Sequence, residues 1–248
     1  MTMVLDRIRR AARAHPDSVA LRYLADGEAE TATLTYGDLM ECAGRMAAAL
    51  RGRGLAGRSA ALIVKPGPRF LIALIALMSA SMVTAPLPLP RGPAAVRRTA
   101  GALRALRPAA IVCDDPEDVA LKAVSADAPR LGLDALLAQG ADPTPNSAAP
   151  PSGGDMAIIQ FSSGSTAEPR GVVISHRNIA ANIDMITLVS GTNGANPAVT
   201  WLPHTHDMGL FGTLLTPLCI GATIVQMPPD GCCQTNADKS RNAGHAET

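Results

Sequence analysis

Short uncharged apolar runs alternate along this chain with stretches whose apolar residues recur at helical spacing. Leu62-Ile63-Val64, Ile111-Val112, Ala157-Ile158-Ile159 and Thr223-Ile224-Val225 are short enough to be buried strands. Before the first of them, Tyr36, Leu39, Met40, Ala43, Met46, Ala47 and Leu50 fall on one helix face. Thr35 followed by Asp38 has the form of a capping box with Asp in place of Glu, so this helix is expected to begin at Tyr36. Further helices are predicted over Pro68–Ser79 and Ala94–Leu106. Strands that are apolar throughout and separated by helices pair in parallel and are covered on both faces. The fold class is therefore α/β, a mostly parallel sheet flanked by helices.

One run invites a different reading. Phe70 to Val83 carries no charge, but it is 14 residues long and is followed by Pro86 and Pro88. A membrane span needs about 20 apolar residues, so a buried helix is expected here and no span. The 22 Lys+Arg against 21 Asp+Glu leave a net charge of +1, which lacks the basic surface that gripping nucleic acid requires. One Trp, two Tyr and three Phe offer no platform for base stacking either. Cys42, Cys113, Cys219, Cys232 and Cys233 are scattered and contain no CxxC pair. They suit a reducing, cytoplasmic setting rather than a disulfide framework or a structural zinc site. Arg7, Arg9, Arg10 and Arg13 near the N-terminus are not followed by an apolar core, so no secretory signal is expected.

Ala141 to Gly154 holds four prolines and two glycines and reads as a linker or surface loop. It divides an N-terminal α/β part, residues 1–140, from a segment over 155–229 that carries the chemistry. Residues 230–248 contain no Val, Ile, Leu, Met, Phe, Tyr or Trp, and a disordered tail is expected there.

Two stretches of the second segment carry chemistry. Gln160-Phe161-Ser162-Ser163-Gly164-Ser165-Thr166-Ala167-Glu168-Pro169-Arg170-Gly171 lies between strand-like runs. Clustered backbone N–H groups and hydroxyls in such a loop form a nest for phosphate oxygens, and Arg170 adds a permanent charge. The sequence does not fit GxxxxGK[ST], and on these residues alone a serine-rich turn without a ligand serves equally well. The second stretch is Trp201-Leu202-Pro203-His204-Thr205-His206-Asp207-Met208-Gly209-Leu210. Its His-x-His could supply two metal ligands, whereas a catalytic zinc usually takes three from the protein, so a metal-dependent hydrolase is the weakest alternative. Asp207 suits the N-cap of a helix carrying Met208, Leu210, Phe211, Leu214 and Leu215. Ser175 is a fair N-cap for a helix that begins at His176, Trp201 reads as core, Cys219 as a small buried apolar residue, and His204 as a surface or packing histidine.

The run Ser162 to Ile183 resembles the phosphate-binding signature of the adenylate-forming superfamily of acyl-CoA synthetases, adenylation domains and luciferases. The His206-Asp207-Met208-Gly209-Leu210 form, with Pro217-Leu218 and Gly221-Ala222 behind it, looks most like fatty acyl-AMP ligases. Leu34 to Leu39 and Ala60 to Pro90 are similar to that superfamily's first conserved blocks. The resemblance spans residues 30–228 and implies the incomplete N-terminal part of the superfamily's large domain. It implies that ATP and a fatty or other carboxylic acid give an acyl adenylate and pyrophosphate. Ser162, Ser163, Gly164, Ser165 and Thr166 would wrap the phosphates, with Thr166 near Mg²⁺ and Arg170 where Lys is common. His206 would be the catalytic group beside the acyl carboxylate, with Met208 and Gly209 at the substrate and Gly209 and Gly212 leaving room for an acyl tunnel. The implied partners are the acid and an acyl carrier protein or polyketide synthase.

The superfamily's later motifs, for adenine, ribose and the catalytic lysine, have no counterpart after Pro229. The expectation is a truncated ligase of little or no activity as this chain alone, with a bare sheet edge and an apolar face left uncovered. The alternative is a non-catalytic remnant that binds a separate polypeptide.

Overall fold

The computed structural model describes residues 3–124, 127–139, 151–162 and 169–229, with Ser162 by its backbone alone. The chain opens with α1 (Val4–Ala14), whose buried face is Val4, Leu5, Ile8 and Ala12. β1 (Val19–Tyr23) and β2 (Ala32–Thr35) form an antiparallel pair and lead into α2 (Tyr36–Gly52). The Thr35 hydroxyl accepts from the Asp38 N–H at 3.0 Å, so the cap that the sequence suggested sets the start of α2.

β3 (Ser59–Ile63), α3 (Pro68–Ser79), β4 (Val83–Pro86), α4 (Pro93–Leu106) and β5 (Ala110–Cys113) then alternate. α4 begins one residue before the expected Ala94, because Pro93 fits the first helical position, where its missing N–H costs nothing. α5 (Val119–Lys122), β6 (Arg130–Gly132) and α6 (Leu133–Gln139) close the first stretch. After the described gap come β7 (Met156–Ser162), β8 (Arg170–Ser175), α7 (His176–Ser190) and β9 (Ala198–Thr200). A π-helix over Met208–Leu215, α8 (Thr216–Ile220) and β10 (Ile224–Gln226) complete it.

The strands form two sheets, in the orders β2-β1-β10-β9 and β6-β5-β3-β4-β7-β8. All pairs are parallel except β1–β2 and β7–β8. Residues from both sides of 141–154 build both sheets, through β7 beside β4 and β10 beside β1. β3 shows the logic of a doubly covered strand. Ala60 and Leu62 enter the larger core with α2 and α3, while Ala61 and Ile63 enter the smaller core with α4 and β5. α3 is buried at every residue from Phe70 to Met78, which is why its sequence is apolar all round. Among the described residues no helix is long and apolar enough to cross a membrane.

One expectation is corrected and two are refined. Trp201 is 49% exposed: it follows directly on the edge strand β9, whose Val199, two positions earlier, is exposed as well. The expected helix after Asp207 is a π-helix: the N–H of Thr216 reaches back five residues to the Phe211 carbonyl, which its hydroxyl also meets at 2.7 Å. Cys219 is partly buried and packs against the larger core as expected, with its thiol 3.8 Å from the Val4 carbonyl. Val172 and Val173 on β8, Met185, Leu188 and Val189 on α7, and Val199 on β9 are further exposed large apolar residues.

Candidate functional site

In a parallel sheet, ligands collect beyond the carboxyl ends of the strands, where the backbone turns away and leaves a crevice. Here the segment Pro203–Asp207 crosses that edge. Gln160, near the end of β7, donates through Nε2 to the Thr205 carbonyl at 3.1 Å. The His204 ring lies edge-on to Phe70 of α3, centroids 4.4 Å apart, and its Nε2 is 2.9 Å from the Val64 carbonyl just past β3. The His206 N–H donates to the Pro203 carbonyl at 3.0 Å, and the His206 carbonyl accepts from the Leu210 N–H at 2.7 Å. Asp207 accepts from the Met208 N–H at 2.7 Å and so starts the π-helix, as a cap.

Next to this segment lies a cavity of about 720 Å³. Gln160 and Phe161 of β7 with Val172 and Ile174 of β8 form its floor, and Asn178, Ile179, Asn182 and Ile186 of α7 form one wall. His206, Asp207, Met208, Phe211 and Gly212 form the other. The wall from α7 exists because Ser175 and Asn178 make a reciprocal capping box, which fixes the helix start and puts positions 178, 182 and 186 on one face. The lining is mostly apolar with amides, one imidazole and the Asp207 carboxylate at intervals, the composition of a small-molecule site.

The expected site residues separate. His206 and Met208 both line the cavity and are exposed to it. Gly209 does not line it: a Cβ there would sit 2.2 Å from the Pro203 carbonyl oxygen, so this glycine lets the backbone close on itself, while Gly212 does border the cavity. Ser163, Gly164, Ser165 and Thr166 lie outside the described residues, as does the Ser162 side chain. Ser162 and Arg170 are backbone partners at the end of the β7–β8 pair, which puts the exposed Arg170 at the base of the intervening loop. Pro169 packs on α4 at Gly101, where a Cβ would come within 3.0 Å of the proline ring.

His204 and His206 do not act as a pair. His206 stands in the cavity wall, whereas His204 is 8% exposed and burial pulls its pKa down to about 4 against the opposing pull of the Val64 carbonyl. Among the described residues no cluster of three His, Cys, Asp or Glu is placed to hold a metal ion. Gln160, His204, Asn182, Ile186 and Phe211 were not picked out as site residues from the sequence. The two-sided apolar spacing of α7 was the one available signal for Asn182 and Ile186.

A family model described as AMP-binding enzyme matches residues 8–239. The 4-hydroxyphenylalkanoate adenylyltransferase of Mycobacterium marinum is 30% identical over 90% of this chain and 38% of its own length. The long-chain-fatty-acid–AMP ligase FadD23 of Mycobacterium tuberculosis is 28% identical over 90% of this chain and 40% of its own. Among solved structures, the fatty acyl-adenylate ligase from L. pneumophila in complex with acyl adenylate and pyrophosphate superposes with a TM-score of 0.83 at 26% identity, over 97% of this chain and 42% of that one. A fatty acyl-adenylate ligase from a study of the E. coli and L. pneumophila enzymes gives 0.85 at 28% identity, over 95% and 43%. The chain thus spans about two fifths of the length of the relatives it matches.

Proposed function

The chain belongs to the AMP-binding enzyme family and matches the N-terminal portion of its fatty acyl-adenylate ligases, and from that premise we propose that the cleft beside His206 holds a fatty or related carboxylic acid for ATP-dependent adenylation. In that reaction a carboxylate oxygen attacks the α-phosphorus of ATP, the bond to the β-phosphate oxygen breaks, and pyrophosphate leaves. The observation that carries the reading is the apolar cleft at the carboxyl ends of the strands with a single imidazole in its wall. Its apolar lining takes the alkyl chain, and His206 hydrogen-bonds the carboxylate and orients it.

The loop hydroxyls and N–H groups of Ser162, Ser163, Gly164, Ser165 and Thr166 would receive the β- and γ-phosphates, with Arg170 at the loop's base supplying charge. The donors there are hydroxyls, amides and a guanidinium, a set that fits an ATP tail. Magnesium, held through Thr166, would neutralise phosphate charge when bound. The cleft is open to water on the side of Val172 and Met208, which are 55% and 62% exposed. Water there weakens every polar contact to the developing charge, so this chain by itself adenylates slowly or not at all.

Titration of the purified chain with saturated acids of increasing length tests the reading. Each added methylene should tighten binding by up to about fourfold, the equivalent of about 0.8 kcal/mol, until the cleft is full. His206→Ala should weaken the carboxylate and leave the dependence on chain length. Affinity that ignores chain length, or no binding, would refute the acid site.

A second reading draws on the exposed apolar side chains outside the cleft, among them Val173, Leu188, Val189, Val199 and Trp201. A partner polypeptide that covers some of them would make the chain one half of a two-piece enzyme. Recovery of the chain with a stoichiometric second polypeptide supports it, and a stable monomer on its own counts against it.

A further inference from the structure

Resting on the reading of the cleft given above, we infer that His204 is the positioning residue that holds His206 at the acid, by clamping the Pro203–Asp207 segment to the end of β3 across 140 positions of sequence. The clamp has two arms on consecutive residues. His204 reaches Val64, beyond β3, at 2.9 Å, and the Thr205 carbonyl is reached by Gln160 of β7 at 3.1 Å. In the sheet β4 lies between β3 and β7, so the two arms pin the segment across three strand ends. His206 is the next residue. Its own N–H and carbonyl are taken by Pro203 and Leu210, so the tilt of the segment as a whole is what remains to aim its ring.

The chemistry of His204 goes beyond packing. An apolar side chain of that size would fill the space against Phe70 at no cost in desolvation. The imidazole is buried and neutral, because burial outweighs the Val64 carbonyl and the Asp114 carboxylate, which both favour its charged form. A carbonyl partner requires the proton on Nε2, which fixes the tautomer and makes the ring a donor at that atom. Val64 is itself 2% exposed, so its carbonyl meets this donor away from water. The position therefore keeps a polar group in a dry place, and what that group does there is tie two distant segments together.

The test compares wild type with His204→Phe, which keeps the packing against Phe70 and loses the donor, and His204→Gln, which keeps an N–H. Three readouts are taken: histidine-ring and backbone NMR signals, thermal unfolding, and titration with dodecanoate. In wild type the His204 Nε2 proton should exchange slowly with water. His204→Phe should shift and broaden the His206 signals while those of strands and helices away from Phe70 and Val64 stay in place, and should weaken dodecanoate about tenfold. His204→Gln should restore affinity to within about threefold of wild type. Unchanged His206 signals and affinity in His204→Phe, or a Gln variant that behaves like Phe, would overturn the assignment. If His204→Phe fails to fold, the wild-type proton exchange and the Gln variant still decide. Absent dodecanoate binding by wild type refutes the acid site, and the NMR arm then judges the clamp separately.

Discussion

Replacing Gly209 by alanine probes the join between fold and site. The new Cβ would lie 2.2 Å from the Pro203 carbonyl oxygen and 2.9 Å from its carbon. A carbon settles against a carbonyl oxygen at about 3.3 Å, so the two backbone segments must part by about 1 Å. Neither side can give by a rotamer change, since both atoms are main chain and Gly209 is buried. Overpacking of this kind costs about 1–3 kcal/mol, which lowers the unfolding midpoint of a chain this long by roughly 2–12 °C. The same movement pulls on the 2.7 Å bond between the Leu210 N–H and the His206 carbonyl, so affinity for dodecanoate should drop with stability. Gly52→Ala is the control: nothing lies within 4 Å of its Cβ and it is the last helical residue of α2, so no loss and at most a gain of about 0.5 kcal/mol is expected. The assay is calorimetric unfolding paired with acid titration. A Gly209→Ala protein that melts within a degree of wild type and binds the acid equally would refute the reasoning.

Tyr36→Phe removes the buried hydroxyl that donates to the Ala222 carbonyl at 2.9 Å and ties α2 to the start of β10; a loss of about 1–2 kcal/mol in urea unfolding is expected, and none would show the bond carries no weight. Acid should destabilise the protein in a window set by His204, whose pKa is lowered from 6.5 to about 4 by burial. The unfolded chain takes up a proton near the upper value and the folded one does not, so this contribution is intact above it and declines as pH falls toward the lower value, by about 3 kcal/mol in all. His176, also lowered by burial, adds in the same direction. Urea midpoints at neutral and acid pH should converge in His204→Phe relative to wild type, and an equal acid loss in both would contradict the assignment. Ser175→Ala should cost about 1 kcal/mol by circular dichroism melting through loss of the cap on α7, and an unchanged midpoint would show that Asn178 alone suffices.

Local chemistry made part of this legible in the sequence. Thr35 and Asp38 announced α2, the uncharged run after Pro68 gave α3, and Ser175 gave α7, because caps and periodicity act over one turn. The motif around His206 and Met208 led to the cavity wall they form. What stayed hidden depends on distant partners. The pairing of β1 with β10 joins residues 203 apart and left no local trace, and the exposure of Trp201 just past β9 left none either. The roles of His204 and Gln160 depend on acceptors at Val64 and Thr205 that no spacing encodes. Gly209 looked like space for a ligand, whereas the nearest atom is the chain's own carbonyl.

The most direct measurement is photolabelling of the chain by a fatty acid carrying a diazirine near its methyl end, with the attached peptide identified by mass spectrometry. Labelling should fall on the π-helix around Met208 and Phe211 and on α7 between Asn182 and Ile186, and unlabelled dodecanoate should suppress it. Labelling concentrated elsewhere, for instance in the groove between Pro93 of α4 and Val119 of α5, would contradict an acyl site beside His206.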